Sequence, residues 1–517
     1  MENRFTAGWM MQMLENSKVN LSFEIDSSLS RKVSTGAIWV TVGMICGRGL
    51  SFVSAIIVAR LLVPLDFGLM AIAMVIVSLS QQATTTGFQS ALIQRQEKPE
   101  DFLNTAWTFE LAKCLALFLI LFLAAPLFAS FFKEPRTVAI LRVISLSLVF
   151  QGLRNIGVIY FRKNLDFHKQ FVLEIVPLIA SVLVVIPLVF ILRNVWALVW
   201  ASLASGIVAC ATSYVMHPYR PRLEFEIKKA KELFNFGKWI LGNSITNIIR
   251  EQGITMFVGK LLGISILGFY NRAGAFSKTL FQQVVGIVWK VGYPAYSQLQ
   301  DDSIRFRQAY LKTLQLLTFI GVPMAGGLFV LSWDFTHLFL TDKWLSMVPL
   351  IQILCLQAIL GFINTPAGIA FQASGRPSIG TKISSLGVII LVILVYPLSS
   401  RWGVVGIVSS LFLSVLFTSP ITWFMAMKVA KCSLSDFLKP VLFPLINTGT
   451  MVTVILIIKQ HIFKPVNIAA FFGLVFVGMI IYFMVAYFFD KYLNYGIYRL
   501  IAERIIAPKL SNHTYAA

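Results

Sequence analysis

The stretch VTVGMICGRGLSFVSAIIVARLLVPLDFGLM, residues 40–70, contains the two features that decide the fold. Its first part is an apolar run long enough to cross a bilayer as a helix, which takes about 20 residues. Its second part, ARLLVPLDFG at 59–68, returns 200 positions later as GKLLGISILG at 259–268. The first feature predicts a membrane helix, and the second predicts a chain built from two related halves.

The whole chain has the composition of a polytopic membrane protein. Of its 517 residues, 57% are hydrophobic and 13% are charged, whereas a soluble domain has about 25% charged residues. The apolar runs are continuous rather than alternating, so they predict helices and not barrel strands. We predict an all-α polytopic membrane protein with about fourteen transmembrane helices. The predicted spans are 35–57, 67–88, 104–131, 137–160, 171–192, 195–216, 236–258, 265–290, 308–332, 346–372, 378–398, 402–425, 441–458 and 466–488.

The first twelve spans divide into two sets of six. The pattern [RK]-L-L-x5-G ends at Gly68 in one set and at Gly268 in the other, and Arg60 is replaced by Lys260. Six spans separate the two copies, so they run in the same direction, as in transporters whose substrate binds between parallel repeats. The predicted parts are a cytoplasmic N-terminal segment 1–34, an N-lobe 35–216, a basic cytoplasmic loop 217–235, a C-lobe 236–425, two extra spans at 441–488 and a cytoplasmic tail 489–517.

The net charge of +21 does not indicate nucleic acid binding. Lys and Arg are concentrated in the loops on one side of the predicted spans, which is the bias that sets membrane topology. We therefore expect both termini in the cytoplasm and no nucleic acid partner. We expect no cleavable signal within residues 1–34, which lack an apolar core. The basic loop 217–235 is expected to fix the topology and to touch anionic lipid head groups.

Several charges lie inside predicted spans, where each costs at least about 2.5–3.5 kcal/mol at the bilayer centre. Glu110 and Lys113 have the spacing of an ion pair on one helix, and Arg142 and Lys290 are close enough to span ends to snorkel. Five cations remain against one nearby acid, Glu251. This excess predicts a water-filled cavity between the halves that suits an anionic cargo. The five cations are Arg48, Arg154, Arg250, Arg272 and Lys278.

Polar side chains at helical spacing accompany these cations. The predicted cavity-lining residues are Gln82, Asn243, Asn247 and Gln282. A stripe on the fourth span comprises Ser147, Gln151, Arg154 and Asn155. Glu251 and Glu174 are the candidates for ion coupling. A second interpretation stays open, in which the in-span cations bind backbone carbonyls or helix ends and only hold the halves together.

The chain contains no motif for a cofactor, a metal or ATP. It has no GxxxxGK[ST] phosphate loop, and its five histidines are isolated. We predict a transporter without a cofactor rather than an enzyme. Spans thirteen and fourteen contain no charge within their predicted bounds, so we expect them to face lipid or neighbours. Two alternatives are a multidrug exporter for organic cations and, disfavoured by the short outer loops, a membrane glycan polymerase or ligase.

Five segments resemble the polysaccharide transporter family of the multidrug/oligosaccharidyl-lipid/polysaccharide exporter superfamily. They are VARLLVPLDFGLMAIAMV at 58–75, GFQSALIQRQEKPEDFLNTAWTFEL at 87–111, VGKLLGISILGFYNRAGAF at 258–276, YPAYSQLQDD at 293–302 and FLTDKWLSMVPLIQIL at 339–354. The resemblance runs from about residue 30 to 430 and is strongest to the colanic-acid and exopolysaccharide exporter branch.

The resemblance implies a flippase of the bacterial cytoplasmic membrane. Such proteins move undecaprenyl-diphosphate-linked oligosaccharide to the outer leaflet by alternating access between two six-helix lobes. Their products serve exopolysaccharide, O-antigen or capsule assembly, which implies a polysaccharide polymerase or chain-length machinery as a further partner beside membrane lipids. From the residues we add the hypothesis that Arg48 and Arg250, one from each lobe, grip the diphosphate.

Overall fold

The computed structural model describes residues 47, 49–84, 88, 92, 100–163, 166–229, 231, 252–461 and 467–493. Helices dominate these residues, and no strand occurs among them. Nine helices within the described ranges are long and apolar enough to cross a membrane. The predicted all-α polytopic fold is therefore confirmed. The number fourteen stays a prediction, because much of the first and seventh spans lies outside these ranges.

The helices of the first half begin at the end of the first predicted span. They are α1 (Gly49–Leu61), α2 (Pro64–Ala83), α3 (Glu100–Phe132), α4 (Arg136–Ile144), α5 (Leu146–Gly152), α6 (Ile159–Lys163), α7 (Phe167–Leu192) and α8 (Trp196–Met216).

The helices of the second half begin within the seventh predicted span. They are α9 (252–261), α10 (Ile264–Gln298), α11 (Ser303–Phe335), α12 (Val348–Ala373), α13 (Pro377–Ala430), α14 (Leu434–His461) and α15 (Ile468–Leu493). A π-turn at Thr336–Leu340 and a 3-10 turn at Asp342–Met347 connect α11 to α12.

One buried carboxylate fixes where two helices of the first half begin. Pro64 occupies the first turn of α2, where its missing N–H has no helical partner to lose. Asp66 Oδ2 accepts a hydrogen bond from Val63 N at 3.1 Å, and its Oδ1 accepts one from Val195 N at 3.1 Å, just before α8. Because one side chain satisfies free amides of two helices, it ties α2 to α8.

The fourth predicted span, 137–160, is not one helix. It is divided into α4 and α5, and the chain then leaves the helix at Leu153 and forms a 3-10 turn at Ile156–Val158. Asn155 caps that turn by accepting from Gly157 N at 2.9 Å and is fully buried. The prediction of one continuous polar stripe through Asn155 is therefore wrong. An Asn side chain bonds the nearby backbone and competes with the helix.

The eleventh and twelfth predicted spans form a hairpin within α13. Gly403 has φ 55° and ψ −132°, which lies outside the helical region. A Cβ added to Gly406 would lie 2.0 Å from the carbonyl oxygen of Leu398, so the two arms come very close at the reversal. Further along, a Cβ on Gly387 would lie 3.6 Å from Thr418 Cγ2. The chain therefore turns back at Gly403, between the two predicted spans.

The last two helices, α14 and α15, pack on α11. The α14 residue Lys459 pairs with Asp334 of α11, whose side chain is 1% exposed. The hydroxyl of Tyr482 in α15 donates to the carbonyl of Phe319 in α11 at 2.8 Å. The expectation that these spans contain no charge holds within their predicted bounds, but the helices are longer: α14 also includes Lys459, and α15 includes Asp490 and Lys491. Their packing against a neighbouring helix agrees with the other half of that expectation.

Candidate substrate path between the two repeats

The two copies of the repeated motif meet each other in the structure. A Cβ on Gly68 would lie 1.9 Å from the carbonyl oxygen of Ile264, and a Cβ on Gly268 would lie 1.9 Å from that of Pro64. Both pairs obey the 200-residue offset, because residue 64 corresponds to 264 and residue 68 to 268. The starts of α2 and α10 therefore cross with approximate two-fold symmetry, at a distance that only glycine permits.

The repeated cations reach across the same contact. Arg60 Nε donates to the carbonyl of Phe339 at 2.8 Å, and Arg60 Nη2 donates to that of Leu338. Lys260 Nζ donates to the carbonyl of Phe131 and lies 4.2 Å from the Phe131 ring. Each cation thus binds carbonyls near the end of a helix from the other half. Such carbonyls lack helical partners and form the negative end of the helix dipole.

Two further side chains close this end of the molecule. Lys343 Nζ donates to the carbonyl of Arg60 at 2.6 Å, and the indole of Trp344 donates to that of Ala59 at 2.8 Å. The buried Trp344 ring lies between Phe67 of α2 and Phe269 of α10, at centroid distances of 5.3 and 5.7 Å. We call residues 59–68, 259–268 and 338–344 the repeat junction.

Arg272 lies directly behind the repeat junction. Its guanidinium carbon is 4.3 Å from the centre of the Phe67 ring on the opposite half. Arg272 Nη2 also donates to Asn271 Oδ1 at 3.4 Å, while its buried Nε has no hydrogen-bond partner among the described residues. A half-buried cation with unused donors, facing an aromatic ring, can exchange that ring for a stronger anionic partner.

Lys278 and Gln282 lie one turn apart further along α10, and both are exposed. Lys278 Nζ is 5.9 Å from the Tyr270 ring. Gln82 Nε2 donates to Ser78 Oγ at 2.8 Å, and Ser78 Oγ also accepts from Gln252 of α9 at 3.4 Å. This Ser78 contact joins the two halves through polar groups away from the repeat junction. The lining roles of Gln82 and Gln282 stay predictions.

Arg154 and Glu174 lie on the first half. Arg154 follows the end of α5 within the break of span four, and its carbonyl accepts from the Trp107 indole at 3.1 Å. Glu174 is exposed in the second turn of α7. The pair Glu110–Lys113 forms as predicted, at 2.7 Å.

The remaining predicted site residues lie outside the described residues, so their roles stay predictions: Arg48, Asn243, Asn247, Arg250 and Glu251.

Sequence reasoning missed the function of Arg60 and Lys260. Both were recognised as a repeated position, but the carbonyls that they bind are 279 and 129 residues away. The available signal was the retention of a cation at the same place in both copies. The interpretation left open for the in-span cations, binding of carbonyls at helix ends, describes these two cations instead, which lie at the ends of α1 and α9, just beyond the predicted spans.

The described part of the basic loop, 217–229, lies along the first turns of α3. The amides of Arg222 and Glu224 are bound by Asn104 Oδ1 and Thr108 Oγ1, each at 3.1 Å. Alternate amides of an extended segment therefore face the polar side of α3. The loop is bonded to the helix bundle here, which adds to its expected role at the membrane surface.

His217 is the first residue of this docked segment and packs against the helix bundle. Its Nδ1 accepts from Tyr219 N at 3.2 Å, and its ring stacks on Tyr160 at 5.8 Å. Burial, with the nearby charges of Lys169 and Arg220, lowers the pKa of His217 below its ordinary value of 6.5. The neutral ring is therefore favoured, in agreement with its role as acceptor.

Comparisons with known proteins agree with this architecture. A family model described as polysaccharide biosynthesis protein matches residues 57–349, more than half of the chain. The chain is 24% identical over 411 residues to the lipopolysaccharide biosynthesis protein WzxC of Escherichia coli (strain K12), covering 78% of this chain and 82% of WzxC. It is 25% identical over 327 residues to the succinoglycan biosynthesis transport protein ExoT of Rhizobium meliloti (strain 1021), covering 63% of this chain and 66% of ExoT.

A solved structure shows the same fold. The lipid II flippase MurJ, in an inward closed conformation, superposes with a TM-score of 0.74 at 16% identity, covering 88% of this chain and 99% of MurJ. ExoT is a transport protein and MurJ is a flippase, so the prediction of a transporter rather than an enzyme is confirmed. The chain is a multi-pass membrane protein, and it belongs to the polysaccharide biosynthesis protein family.

Proposed function

We propose that the protein flips undecaprenyl-diphosphate-linked oligosaccharide repeat units from the cytoplasmic to the outer leaflet of the bacterial cytoplasmic membrane. The product would serve exopolysaccharide, O-antigen or capsule assembly by a polymerase or chain-length machinery. The supporting observation is that α10, which crosses the opposite half at Gly268, also contains the cations Arg272 and Lys278. One helix therefore connects anion-attracting groups to the contact that must open.

The proposed transport cycle moves two lobes, 35–216 and 236–425, against each other. Residues 441–488 move with the second lobe, since α14 packs on α11. Both termini, 1–34 and 489–517, and the basic loop 217–235 lie in the cytoplasm on this topology. The repeat junction then lies at the outer end of the molecule, because α2 and α10 both begin there after an outward-running span.

The anionic diphosphate is the part of the cargo that the cations recognise. Arg48 and Arg250 grip it, and Arg272, Lys278 and Arg154 add positive field. Unoccupied, these cations repel one another and favour separated lobes at the inner end. A bound diphosphate removes that repulsion, so the inner end closes and the repeat junction opens. Glu251 and Glu174 are the groups through which an ion gradient would act.

Arg272 would change partners during this cycle. Its contact with the Phe67 ring, at 4.3 Å, is of a kind worth about 0.5–2 kcal/mol. A phosphate group offers two parallel charge-assisted hydrogen bonds, which are stronger than a neutral contact. Binding of the cargo would therefore pull Arg272 away from Phe67 and loosen the repeat junction. No covalent bond changes, so the proposal requires no cofactor.

Deletion of the gene in its host tests this function. We expect lipid-linked repeat units to accumulate on the cytoplasmic face of the membrane. Wild type should relieve the accumulation, whereas Arg272→Gln and Lys278→Gln should restore less than about a tenth of the flux. Arg305→Gln is the matched control, because Arg305 is exposed and its ion pair among the described residues is with Asp302, which precedes the first turn of the same helix.

Two results would overturn the proposal. One is an unchanged lipid-linked pool and unchanged surface polysaccharide after deletion in a strain without a paralogue. The other is sensitivity to organic cations as the sole phenotype, which would identify a multidrug exporter. Full activity of both α10 variants would remove these two cations from the path but leave the flippase function standing.

A further inference from the structure

A cavity of about 240 Å³ lies between α11 and α14, away from the repeat junction. Its walls are two helix faces with the same spacing. Gln308, Leu311 and Lys312 line it from α11, and Asp436, Lys439 and Phe443 line it from α14. Residues three and four apart share a helix face, so each wall is one continuous stripe.

The start of α14 holds one wall in place. Ser433 and Asp436 cap it reciprocally: Asp436 N donates to Ser433 Oγ, and Ser433 N donates to Asp436 Oδ2, both at 3.2 Å. This arrangement is a capping box. Arg307 Nη2 of α11 then reaches Asp436 Oδ2 at 2.9 Å and joins the two walls at the mouth.

A second bond joins the walls above the cavity. Pro444 has no N–H, so the carbonyl of Pro440 lacks its helical partner. The hydroxyl of Thr318 in α11 donates to that carbonyl at 2.7 Å. In a membrane such a freed carbonyl must find a partner within the protein. The walls are thus bonded on both sides of the cavity, which keeps it from collapsing.

The cavity has an uncompensated positive charge. Asp436 Oδ2 already accepts from Arg307 Nη2 at 2.9 Å and from Ser433 Oγ at 2.7 Å. Lys312 and Lys439 are both exposed and form no ion pair with any residue in the described part of the chain. Two lysines therefore remain to attract an anion at the mouth.

Apolar surface continues from both lysines along the helices. On α11, Leu316 and Ile320 follow Lys312 at four-residue spacing and are 42% and 40% exposed. On α14, Leu442 and Ile446 follow Lys439 on one face and are 44% and 47% exposed. A cationic mouth followed by an apolar track matches a molecule with an anionic head and hydrocarbon chains.

We propose that this cavity binds an anionic phospholipid. Its phosphate lies between Lys312 and Lys439, and its acyl chains follow the apolar track. On the proposed topology, α11 and α14 both begin at the cytoplasmic face, where basic pockets between helices bind acidic lipid head groups. The volume is below the roughly 300–1,000 Å³ of ligand pockets, so it suits a phosphate head rather than an oligosaccharide.

Native mass spectrometry of the purified full chain tests this site. Phosphatidylglycerol and phosphatidylcholine with the same acyl chains are titrated separately. We expect Lys312→Gln/Lys439→Gln to bind phosphatidylglycerol roughly tenfold more weakly than wild type, with unchanged phosphatidylcholine binding. The control, Lys382→Gln/Lys428→Gln, removes the same charge from exposed positions on α13 and should bind like wild type.

A second measurement separates folding from binding. Without lipid, the cavity variant should have the wild-type melting temperature, and added phosphatidylglycerol should raise only that of wild type and of the control. Equal phosphatidylglycerol loss in both double variants, or no loss in the cavity variant, would overturn the proposal. So would selective loss of undecaprenyl phosphate binding with phosphatidylglycerol binding intact, because the occupant would then be a cargo lipid.

Discussion

The repeat junction and the α11–α14 contact join helices in opposite ways. At the repeat junction, glycines bring backbones together, and exposed cations bind carbonyls across the lobes. Between α11 and α14, side chains interlock: a Cβ on Gly326 would lie 2.3 Å from Thr448 Cγ2. Ion pairs close that contact at each end, Arg307–Asp436 and Lys459–Asp334.

This difference indicates which contact opens during transport. A cation bound to carbonyls near a helix end can release them to water or to another donor at small cost. The buried carboxylate of Asp334 cannot lose Lys459 so easily, because an unpaired buried charge is strongly destabilising. We therefore expect the repeat junction to be reversible and the α11–α14 contact to be permanent. Three experiments test that distinction, beginning with the largest expected effect, and a fourth tests the docked basic loop.

The crossing glycines should tolerate no side chain. In Gly68→Ala and Gly268→Ala the new Cβ would meet a backbone oxygen at 1.9 Å, so the helices must separate. We expect a loss of about 3 kcal/mol or more in unfolding free energy and loss of transport. Thermal unfolding in detergent and a flux assay measure these effects. Gly253→Ala is the control, since no atom lies within 4 Å of its added Cβ; equal behaviour of the three variants would contradict the close crossing.

Removal of Lys459 should destabilise the α11–α14 contact without acting on the repeat junction. Lys459→Ala leaves the Asp334 carboxylate, 1% exposed, without its cation. We expect a loss of about 3–5 kcal/mol, and near-complete recovery in the double variant Asp334→Leu/Lys459→Met. Arg307→Gln breaks the more exposed pair and should cost less than about 1 kcal/mol. An equal loss of unfolding free energy in Lys459→Ala and Arg307→Gln would contradict the expectation that the more buried ion pair contributes more to stability.

Loss of either repeated cation should open the repeat junction rather than unfold the protein. In Arg60→Gln and Lys260→Gln, we expect the equilibrium between the closed and the open repeat junction to shift toward separated lobes. The expected shift is about 1 kcal/mol, which is roughly fivefold in the equilibrium constant. The distance between spin labels at the exposed positions Val63 and Leu261 reports this shift. Arg193→Gln, an exposed cation at the same end, is the control. An unchanged distance distribution in both variants would mean that the cations do not hold the lobes together.

The docked basic loop should loosen in acid. The folded pKa of His217 lies below its unfolded value of 6.5. The stability that the neutral ring gives to the docked loop is therefore complete above pH 6.5 and is lost as the pH falls through the folded pKa. The protection of amides 219, 220 and 222–226 against hydrogen exchange, measured relative to their intrinsic rates at each pH, should therefore be lower at pH 5.5 than at pH 7. His217→Asn keeps an acceptor without titrating and should remove the difference. A pH effect that persists in this variant would assign it to another group.

The sequence allowed several elements to be predicted because their causes are local. Apolar runs predicted the helices, and the spacing of Glu110 and Lys113 predicted their ion pair at 2.7 Å. The 200-residue offset identified Gly68 and Gly268 as equivalent positions. Asn155 was misjudged because its choice between helix and turn depends on distant groups: its amide donates to the carbonyl of Tyr219 at 2.6 Å.

The amino-acid sequence by itself determined that the chain is helical, crosses a membrane and repeats. These properties follow from backbone hydrogen bonds that lipid cannot replace and from continuous apolar runs. Only the tertiary structure decided the partner of each charge: Arg60 binds carbonyls 279 residues away, and Lys459 pairs with Asp334, 125 residues away. The physical reason is that a charge on one helix binds whichever polar or oppositely charged group the packing of distant helices brings within reach.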